Sequence, residues 1–274
     1  MNIIAFQITK TKDIPFQTQA KTLDEMTREL AQGFYTTFST LSAGTKALGF
    51  HRHLQRLYVP AMEQGLKPSV NEPTLRTRIA ELAKINLPKE SRIRLILTKN
   101  DGTVYVGIQP FEPLSKQIYE NGVKVVNAEL ARQSPRVKDT GFISSSVEQR
   151  KQVGRDVFEI LLTKKGKILE GMTSNFYAVK GKTLVTAQSG ILLGVTRRVI
   201  LRLARGQGMS IEYRAPSVNE KIDEAFLTSS SRGVVPIVSI DNKPVGQGRV
   251  GEWVKALMEA YWDYVEKKCE KIAG

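Results

Sequence analysis

Glu170 is the residue whose surroundings most need a chemical explanation. It interrupts the stretch KGKILEGMTSNFYAV (residues 165–179), in which KGKIL and NFYAV otherwise show the turn-then-apolar pattern of β-strands. A carboxylate at this point has two interpretations. It is either a solvated loop glutamate or a group that faces a positive charge which the protein must hold.

A second candidate is the segment ILLGVTRR (191–198), where a helix is expected to begin. Gly194 precedes Val195 and Thr196, so the backbone there can approach an anion closely. The first N–H groups of a helix have no partner within the helix and carry partial positive charge, which makes them a seat for phosphate. The alternative is an ordinary junction between a loop and a helix.

Two basic residues complete the set of candidates. Lys138 lies in SPRVKDTGF (134–142), and its spacing does not distinguish it from a surface lysine. Arg56 lies in HLQRL (53–57), within an apolar helical pattern. Its stem could cover the core while its head reaches water, or its guanidinium could clamp a phosphate through paired N–H groups.

Taken together, these segments resemble the class IV (fold-type IV) pyridoxal-phosphate enzymes along nearly the whole chain. That group includes branched-chain aminotransferases, D-amino-acid aminotransferases and aminodeoxychorismate lyases. EGMTSNFYAV is similar to the family signature Glu-Gly-x-x-Ser-Asn followed by an aromatic residue. Matching segments are also GFYTTFST, HLQRL, PRVKDTGF, ILLGVTRRVI and EAFLTSSSRGVVPI, and the 32 positions from Lys138 to Glu170 suit the family.

The resemblance implies a role for each candidate. Lys138 matches the lysine that forms a Schiff base with pyridoxal 5′-phosphate and then moves a proton. Glu170 matches the carboxylate that pairs with the pyridine nitrogen of the cofactor. Arg56 matches the arginine that binds the cofactor phosphate, and Val195 and Thr196 match the two residues whose N–H groups meet it.

Four further residues are carried over with alternatives left open. Ser230 corresponds to the last phosphate contact, and Ser231 and Arg232 lie in a turn that faces the substrate carboxylate in relatives. Arg232 departs from the small residues common there, and is either a partner of that carboxylate or an exposed turn arginine. Tyr35 is either a substrate-pocket aromatic or a core tyrosine.

Three other residues bear on the resemblance. Thr36 stands where many relatives have glutamate, and Phe142 is displaced from the aromatic that often follows the lysine, so the first lobe is atypical. Asn175 is expected to satisfy backbone groups where the strand bends.

Apolar periodicity predicts the elements that must position these residues. Helices are expected at 22–34, 51–66 (interrupted by Pro60), 73–85, 194–208 and 249–272. Strands are expected at 33–41, in a hairpin over 91–111, at 122–130, in a meander over 156–187, and in EAFLTSS and VVPIVSIDNKPVG.

This mixture of strands and helices lacks steady βαβ alternation and predicts an α+β protein of two lobes. The expected N-terminal lobe is 1–112, followed by a linker at 113–120 and a larger C-terminal lobe at 121–274. The resemblance places the cofactor in a cleft between the lobes, with most contacts from the second.

Composition restricts the functional class. The chain has 274 residues, 41% of them hydrophobic, with no apolar run long enough for a membrane helix and no signal-peptide pattern. Its single cysteine, Cys269, excludes a disulfide within the chain and disfavours a cysteine metal site. These features predict a cytoplasmic protein without a metal or membrane partner. His51 and His53 are not assigned to a metal either.

The net charge of +14 comes from 41 Lys and Arg residues against 27 Asp and Glu. The two densest basic stretches also show helical apolar spacing, so they are interpreted as solvated helix faces and not as a nucleic-acid site. The charge suits anionic small substrates.

The predicted function is transamination in amino-acid metabolism. An amino group passes from an amino acid to a 2-oxo acid by a ping-pong mechanism through Lys138, in an enzyme expected to be a homodimer. The alternative is an aminodeoxychorismate lyase-type elimination that releases pyruvate. A remote alternative is a non-catalytic basic binding protein on the same scaffold.

Overall fold

The computed structural model describes residues 3–154 and 156–273. Its helices are α1 (Leu23–Arg28), α2 (Phe50–Glu63), α3 (Glu72–Leu82), α4 (Lys116–Asn121), α5 (Gly141–Ser145), α6 (Val147–Lys151), α7 (Val195–Gly206) and α8 (Glu252–Lys268). Within the described ranges, none of these helices has the length and apolar character needed to cross a membrane.

The strands in the first half are β1 (Ile4–Ile8), β2 (Asp13–Pro15), β3 (Gly33–Ser39), β4 (Lys46–Ala47), β5 (Glu90–Thr98), β6 (Val104–Phe111) and β7 (Val123–Glu129). Those in the second half are β8 (Glu159–Lys164), β9 (Lys167–Gly171), β10 (Asn175–Lys180), β11 (Thr183–Thr186), β12 (Ser210–Tyr213), β13 (Glu224–Ser229), β14 (Gly233–Ile240), β15 (Lys243–Pro244) and β16 (Glu270–Lys271).

The chain forms two compact units. Unit 1 holds the residues up to Glu112, the segment Val137–Ser145 and the chain from Lys268 onward, while unit 2 holds Pro113–Arg136 and Ser146–Lys267. Both units contain helices and strands, which confirms the α+β fold class. The predicted lobe ends at residues 1 and 274 lie outside the described residues.

Unit 1 is built on an antiparallel five-stranded sheet in the order β2-β1-β6-β5-β3. Helix α2 places Leu54 and Leu57, both fully buried, in one core cluster with Phe38 of β3 and Ile93 of β5. Apolar residues that recur at helical spacing bury one face of the helix, whereas Arg52 and Gln55 are exposed.

Unit 2 is built on a nine-stranded sheet in the order β12-β11-β10-β13-β14-β7-β8-β9, with β15 paired to β14. Three neighbouring pairs are parallel: β11 with β12, β14 with β7, and β7 with β8. The core on this sheet contains the fully buried Leu161, Ile168, Ala178 and Val185.

Local sequence signals explain where several elements begin and end. Thr22 caps α1, because its hydroxyl accepts from the N–H of Glu25 at 3.1 Å. Helix α7 is closed at Gly208, which has φ of +77° as expected for a glycine just after a helix. The turn between β14 and β15 uses Asp241 and Asn242 at φ of +49° and +62°, a conformation that these residue types tolerate.

Three predicted elements depart furthest from the structure. The helix predicted at 22–34 ends at Arg28, because Gly33 already begins β3. The closing helix predicted to residue 272 ends at Lys268, after which β16 pairs with β4. The predicted meander is wrong at one step: within the described ranges no ladder joins β9 to β10, since β9 pairs with β8 and β10 with β11 and β13.

Candidate active site

Glu170 is a buried carboxylate in unit 2. It is the fourth residue of β9, pairs with Leu162 of β8, and is 2% exposed. Its Oε1 accepts a hydrogen bond from Nε of Arg132 at 2.8 Å, and its Oε2 accepts from the backbone N–H of Leu192 at 3.1 Å. The interpretation as a solvated loop residue is therefore wrong, and the carboxylate does face a positive group.

That positive group, Arg132, was missed by sequence reasoning. Its side chain is 4% exposed, and besides the ion pair with Glu170 it donates from Nη2 to the carbonyl of Met172 at 2.8 Å. Arg132 follows β7 in a polar segment with no motif, so nothing local distinguishes it from the other arginines. The paired guanidinium fixes the carboxylate in place and compensates a buried charge that would otherwise be costly.

Val195 and Thr196 are the first two residues of α7, and both are buried. Gly194 is the N-cap, and no side chain caps the helix among the described residues. Asn175, at the start of β10, lies beside this helix start, because its Oδ1 accepts from the N–H of Gly194 at 3.2 Å. The structure thus brings Glu170, Asn175 and the start of α7 together within unit 2.

Ser230, Ser231 and Arg232 form the turn between β13 and β14, as half-buried residues of unit 2. Arg232 is not an exposed turn arginine: its side chain is 18% exposed, and Nη2 donates to Oε2 of the buried Glu159 at 2.8 Å. The same guanidinium bonds the hydroxyls of Thr173 and of Ser229. Glu159 was not singled out in the sequence, since its partner lies 73 positions away.

Lys138 lies in unit 1, beside β3. Its carbonyl accepts from the N–H of Tyr35 at 2.9 Å, and the next residues continue the contact, because Thr140 donates its N–H to the carbonyl of Gly33 at 2.9 Å. The ammonium of Lys138 lies 4.9 Å from the centre of the Tyr35 ring, and the guanidinium of Arg94 lies 5.0 Å from the same ring. Tyr35 is 4% exposed, so this ring is mostly buried between basic groups.

Arg56 is half-buried on α2, one turn after the fully buried His53. Burial and the positive charges of Arg56 and Lys138 hold the pKa of His53 well below its ordinary value. Nδ1 of His53 lies 2.6 Å from the hydroxyl of Thr36, the residue that replaces the family's glutamate. The structure therefore places Arg56, Lys138 and a neutral histidine in one electrostatic environment within unit 1.

Comparison with known proteins decides the family. The family model described as "Amino-transferase class IV" matches residues 33–240. The chain belongs to the class IV aminotransferase family. The predicted family is therefore confirmed, and this class IV aminotransferase is an enzyme that uses pyridoxal 5′-phosphate.

Individual relatives agree with this assignment. The aminotransferase is 30% identical over 257 residues to a "Probable branched-chain-amino-acid aminotransferase" of Thermotoga maritima, covering 90% of this chain and 91% of that protein. It is 29% identical over 225 residues to a "D-alanine aminotransferase" of Bacillus licheniformis, covering 76% and 79%. A solved branched-chain amino acid aminotransferase from Escherichia coli superposes with a TM-score of 0.76 at 17% identity, covering 99% of both chains. That likeness confirms the fold-type IV architecture.

The residues of this aminotransferase fit the cofactor chemically. The start of α7 offers N–H groups without a capping side chain, which suit a phosphate. The buried Glu170 carboxylate suits a protonated ring nitrogen, and Lys138 supplies an amine. In residues 3–154 and 156–273, no group of three His, Cys, Asp or Glu side chains is arranged to hold a metal ion.

Proposed function

We propose that this class IV aminotransferase transfers an amino group from an amino acid to a 2-oxo acid through six cofactor-binding residues. They are Arg56, Lys138, Glu170, Val195, Thr196 and Ser230. The observation that carries the proposal is the Glu170 carboxylate, which is buried, ion-paired to Arg132 at 2.8 Å and bonded to Leu192 just before α7. A carboxylate held this firmly in a dry position is a preorganised electrostatic group.

In unit 2, Glu170 holds a proton on the pyridine nitrogen by remaining an acceptor. The N–H groups of Val195 and Thr196 bind the phosphate, and the hydroxyl of Ser230 adds a contact. A buried anion seat of this kind depends on backbone donors that need no rearrangement when the ligand arrives.

In unit 1, Arg56 would bind the phosphate, and Nζ of Lys138 would hold the cofactor by condensing with its aldehyde and releasing water. The cofactor, when bound, accepts the electrons that are released when the substrate α-carbon loses its proton. Once the substrate amine has displaced Lys138 from the cofactor aldehyde, the freed Nζ atom of Lys138 would take that proton and return it to the cofactor side, so one amine would serve as base and then as acid. The low pKa of the neighbouring His53 leaves that residue neutral, so it adds no third positive charge beside Arg56 and Lys138.

Substrate recognition is proposed for Tyr35, Ser231 and Arg232. Relatives of this chain are named for D-alanine and for branched-chain amino acids, so we propose a donor with a small or branched apolar side chain. Arg232 contributes through the turn that it holds by pairing with Glu159.

The wider organisation is proposed from the resemblance to the family. It comprises a first lobe at 1–112, a linker at 113–120 and a second lobe at 121–274 that carries most cofactor contacts. We propose a homodimer, which light scattering would show as twice the chain mass. The single cysteine supports a cytoplasmic location.

The covalent assignment is tested by borohydride treatment of the cofactor-loaded protein, followed by peptide mapping. We expect the reduced adduct on Lys138 and a yellow enzyme that loses its colour with an amino-acid donor and regains it with a 2-oxo acid. A panel of L- and D-amino acids then identifies the donor. An adduct on another lysine would overturn the assignment.

The role of Glu170 is tested by Glu170→Gln. The amide keeps the shape but loses the negative charge, so we expect kcat to fall about 100-fold or more while some cofactor is retained. Glu220→Gln is the control, because Glu220 is also ion-paired, to Arg214 at 2.6 Å, and its other hydrogen bonds come from Lys180 and Ser217, which have no proposed role in the site. The control is expected to lose stability but to keep the wild-type cofactor absorbance. Wild-type turnover in Glu170→Gln would remove Glu170 from this role.

A further inference from the structure

Asn175 makes hydrogen bonds to both proposed cofactor anchors of unit 2. Its side chain is buried, with the residue 4% exposed. Nδ2 donates to the carbonyl of Leu192 at 2.7 Å and to Oε2 of Glu170 at 3.4 Å, while Oδ1 accepts from the N–H of Gly194 at 3.2 Å. A carbonyl can only accept and an N–H can only donate, so these two backbone partners determine which way the amide points.

Leu192 provides a second connection between Glu170 and Asn175. Its N–H donates to Oε2 of Glu170 at 3.1 Å, and its carbonyl accepts from Asn175. Glu170, Asn175 and Leu192 therefore form a closed ring of three hydrogen bonds. Gly194, bonded to the same asparagine, is the residue from which α7 starts.

The shape of the cofactor makes this connection relevant. The ring nitrogen and the phosphate belong to one small molecule, so the distance between them is nearly fixed. Two protein anchors bind such a molecule strongly only if their own separation is held at the matching value. When the separation of the anchors is held in that way, binding of one end of the cofactor presents the other end to its anchor at a high effective concentration.

We propose that Asn175 is a positioning residue that couples the Glu170 carboxylate to the start of α7, so that the two ends of the cofactor are bound cooperatively. This inference rests on the proposed function for the identity of the ligand. Asn175 itself touches neither the substrate nor the reacting atoms. Its effect is on the distance and orientation between two groups that do bind.

A substitution at Gly194 would disturb the hydrogen bond between Gly194 and Asn175 without changing Asn175 itself. A Cβ atom at position 194 would lie 2.3 Å from Oδ1 of Asn175, too close for the asparagine to stay in place. The φ of Gly194 is −63°, which alanine adopts without strain. A Cβ atom at Gly206, at the other end of α7, would meet nothing within 4 Å, so Gly206→Ala is the matched control.

The test measures dissociation constants of the apoenzyme by calorimetry for three ligands that form no covalent bond with lysine. These are pyridoxamine 5′-phosphate, pyridoxamine and inorganic phosphate. The product of the last two constants divided by the first gives the effective concentration with which the anchors cooperate. We expect Asn175→Ala and Gly194→Ala to lower this quantity at least tenfold, and Gly206→Ala to leave it within twofold of wild type.

If Asn175 supported the two anchors only separately, the constant for pyridoxamine 5′-phosphate would rise by the product of the factors for pyridoxamine and phosphate, and the quotient would not change. The inference is overturned if the effective concentration stays within twofold of wild type in either folded variant. Thermal unfolding checks folding, and Asn175→Ser is the second variant if Asn175→Ala does not fold. A wild-type protein that binds pyridoxamine 5′-phosphate no better than pyridoxamine would instead overturn the proposed phosphate seat, and the coupling with it.

Discussion

At the level of single residues, burial and neighbouring charge decide whether the side chain of His53 is protonated. His53 is fully buried beside two cations, and burial is the largest cause of its lowered pKa, followed by Arg56 and Lys138. Since the unfolded chain leaves the imidazole in water, it binds a proton there more readily than in the folded protein. This difference links the stability of the protein to pH.

The pH dependence of stability tests this arrangement. Folded His53 has the lower pKa, so the unfolded state binds more protons just below pH 6.5, and the free energy of unfolding falls as the pH is lowered through that range. We expect His53→Gln to reduce the slope between about pH 6.5 and 5 by up to about 1.4 kcal/mol per pH unit. Urea unfolding at several pH values measures it.

The control is His51→Gln, since His51 is the chain's other histidine and its side chain is 53% exposed. The change of slope in His53→Gln is compared with the change in this control. An unchanged slope in His53→Gln would show that this imidazole titrates as it does in water.

Among the elements, the turn that joins β9 to β10 is the one that connects Glu170 and Asn175. The chain bends over residues 172–174 between these two strands, which form no ladder with each other in the described ranges. The buried Glu159 holds this turn, accepting from the N–H of Thr173 at 3.1 Å and from its hydroxyl at 2.8 Å. Glu170 and Asn175, on either side of the turn, are thereby kept near each other.

The close packing of the turn in the hairpin β5–β6 can be tested by comparing two glycines of the same backbone conformation. Gly102 in this turn and Gly65 after α2 have the same φ of +71°. A Cβ at Gly102 would lie 2.3 Å from the carbonyl oxygen of Lys67, whereas a Cβ at Gly65 would meet nothing within 4 Å. Alanine therefore costs the same backbone strain at both positions but clashes at only one.

We expect Gly65→Ala to lower the free energy of unfolding by about 1–2 kcal/mol through backbone strain alone. Gly102→Ala should cost about 1–3 kcal/mol more, because the Lys67 carbonyl must move. Urea midpoints of the two variants give the comparison. Equal losses would mean that the hairpin turn accommodates the methyl group without displacing the neighbouring backbone.

At the scale of the whole molecule, unit 1 is not a continuous stretch of chain. It takes in Val137–Ser145, which pairs with β3 through the bridge between Phe34 and Asp139, and the chain from Lys268, whose Ile272 is fully buried in the same core as α2. The Schiff-base candidate Lys138 belongs to one of these returning segments. Unit 1 therefore contains two segments in addition to residues before position 113.

We expect a fragment of residues 1–112 to unfold at lower urea than the same fragment joined by a Gly/Ser linker to residues 137–145. The added segment restores the backbone hydrogen bonds of Gly33 and Tyr35, which are otherwise left to solvent. Circular dichroism gives the midpoints, and a scrambled 137–145 segment is the control. Equal midpoints for the native and scrambled segments would show that residues 137–145 do not stabilise the fragment.

The sequence by itself predicted most elements and indicated the candidate cofactor residues. Glu170, the start of α7, the β5–β6 hairpin and the glycine that ends α7 are marked by residues close to one another in the chain, since turn formation, capping and periodicity are local effects. The family signature from Glu170 to Asn175 is also continuous in sequence, which is why the cofactor was predicted from it.

Only the tertiary structure decided which side chains form ion pairs and which strands pair with each other. Arg132 is ion-paired with Glu170, 38 positions away in the sequence, and Arg232 with Glu159, 73 positions away. Strand β9 pairs with β8 and not with β10, the next strand in the chain. These pairings depend on which strands become neighbours in the sheet, and a charged side chain carries no local mark of the partner it will find. The neutral state of His53 follows in the same way, because burial is a property of the folded chain and not of the residue.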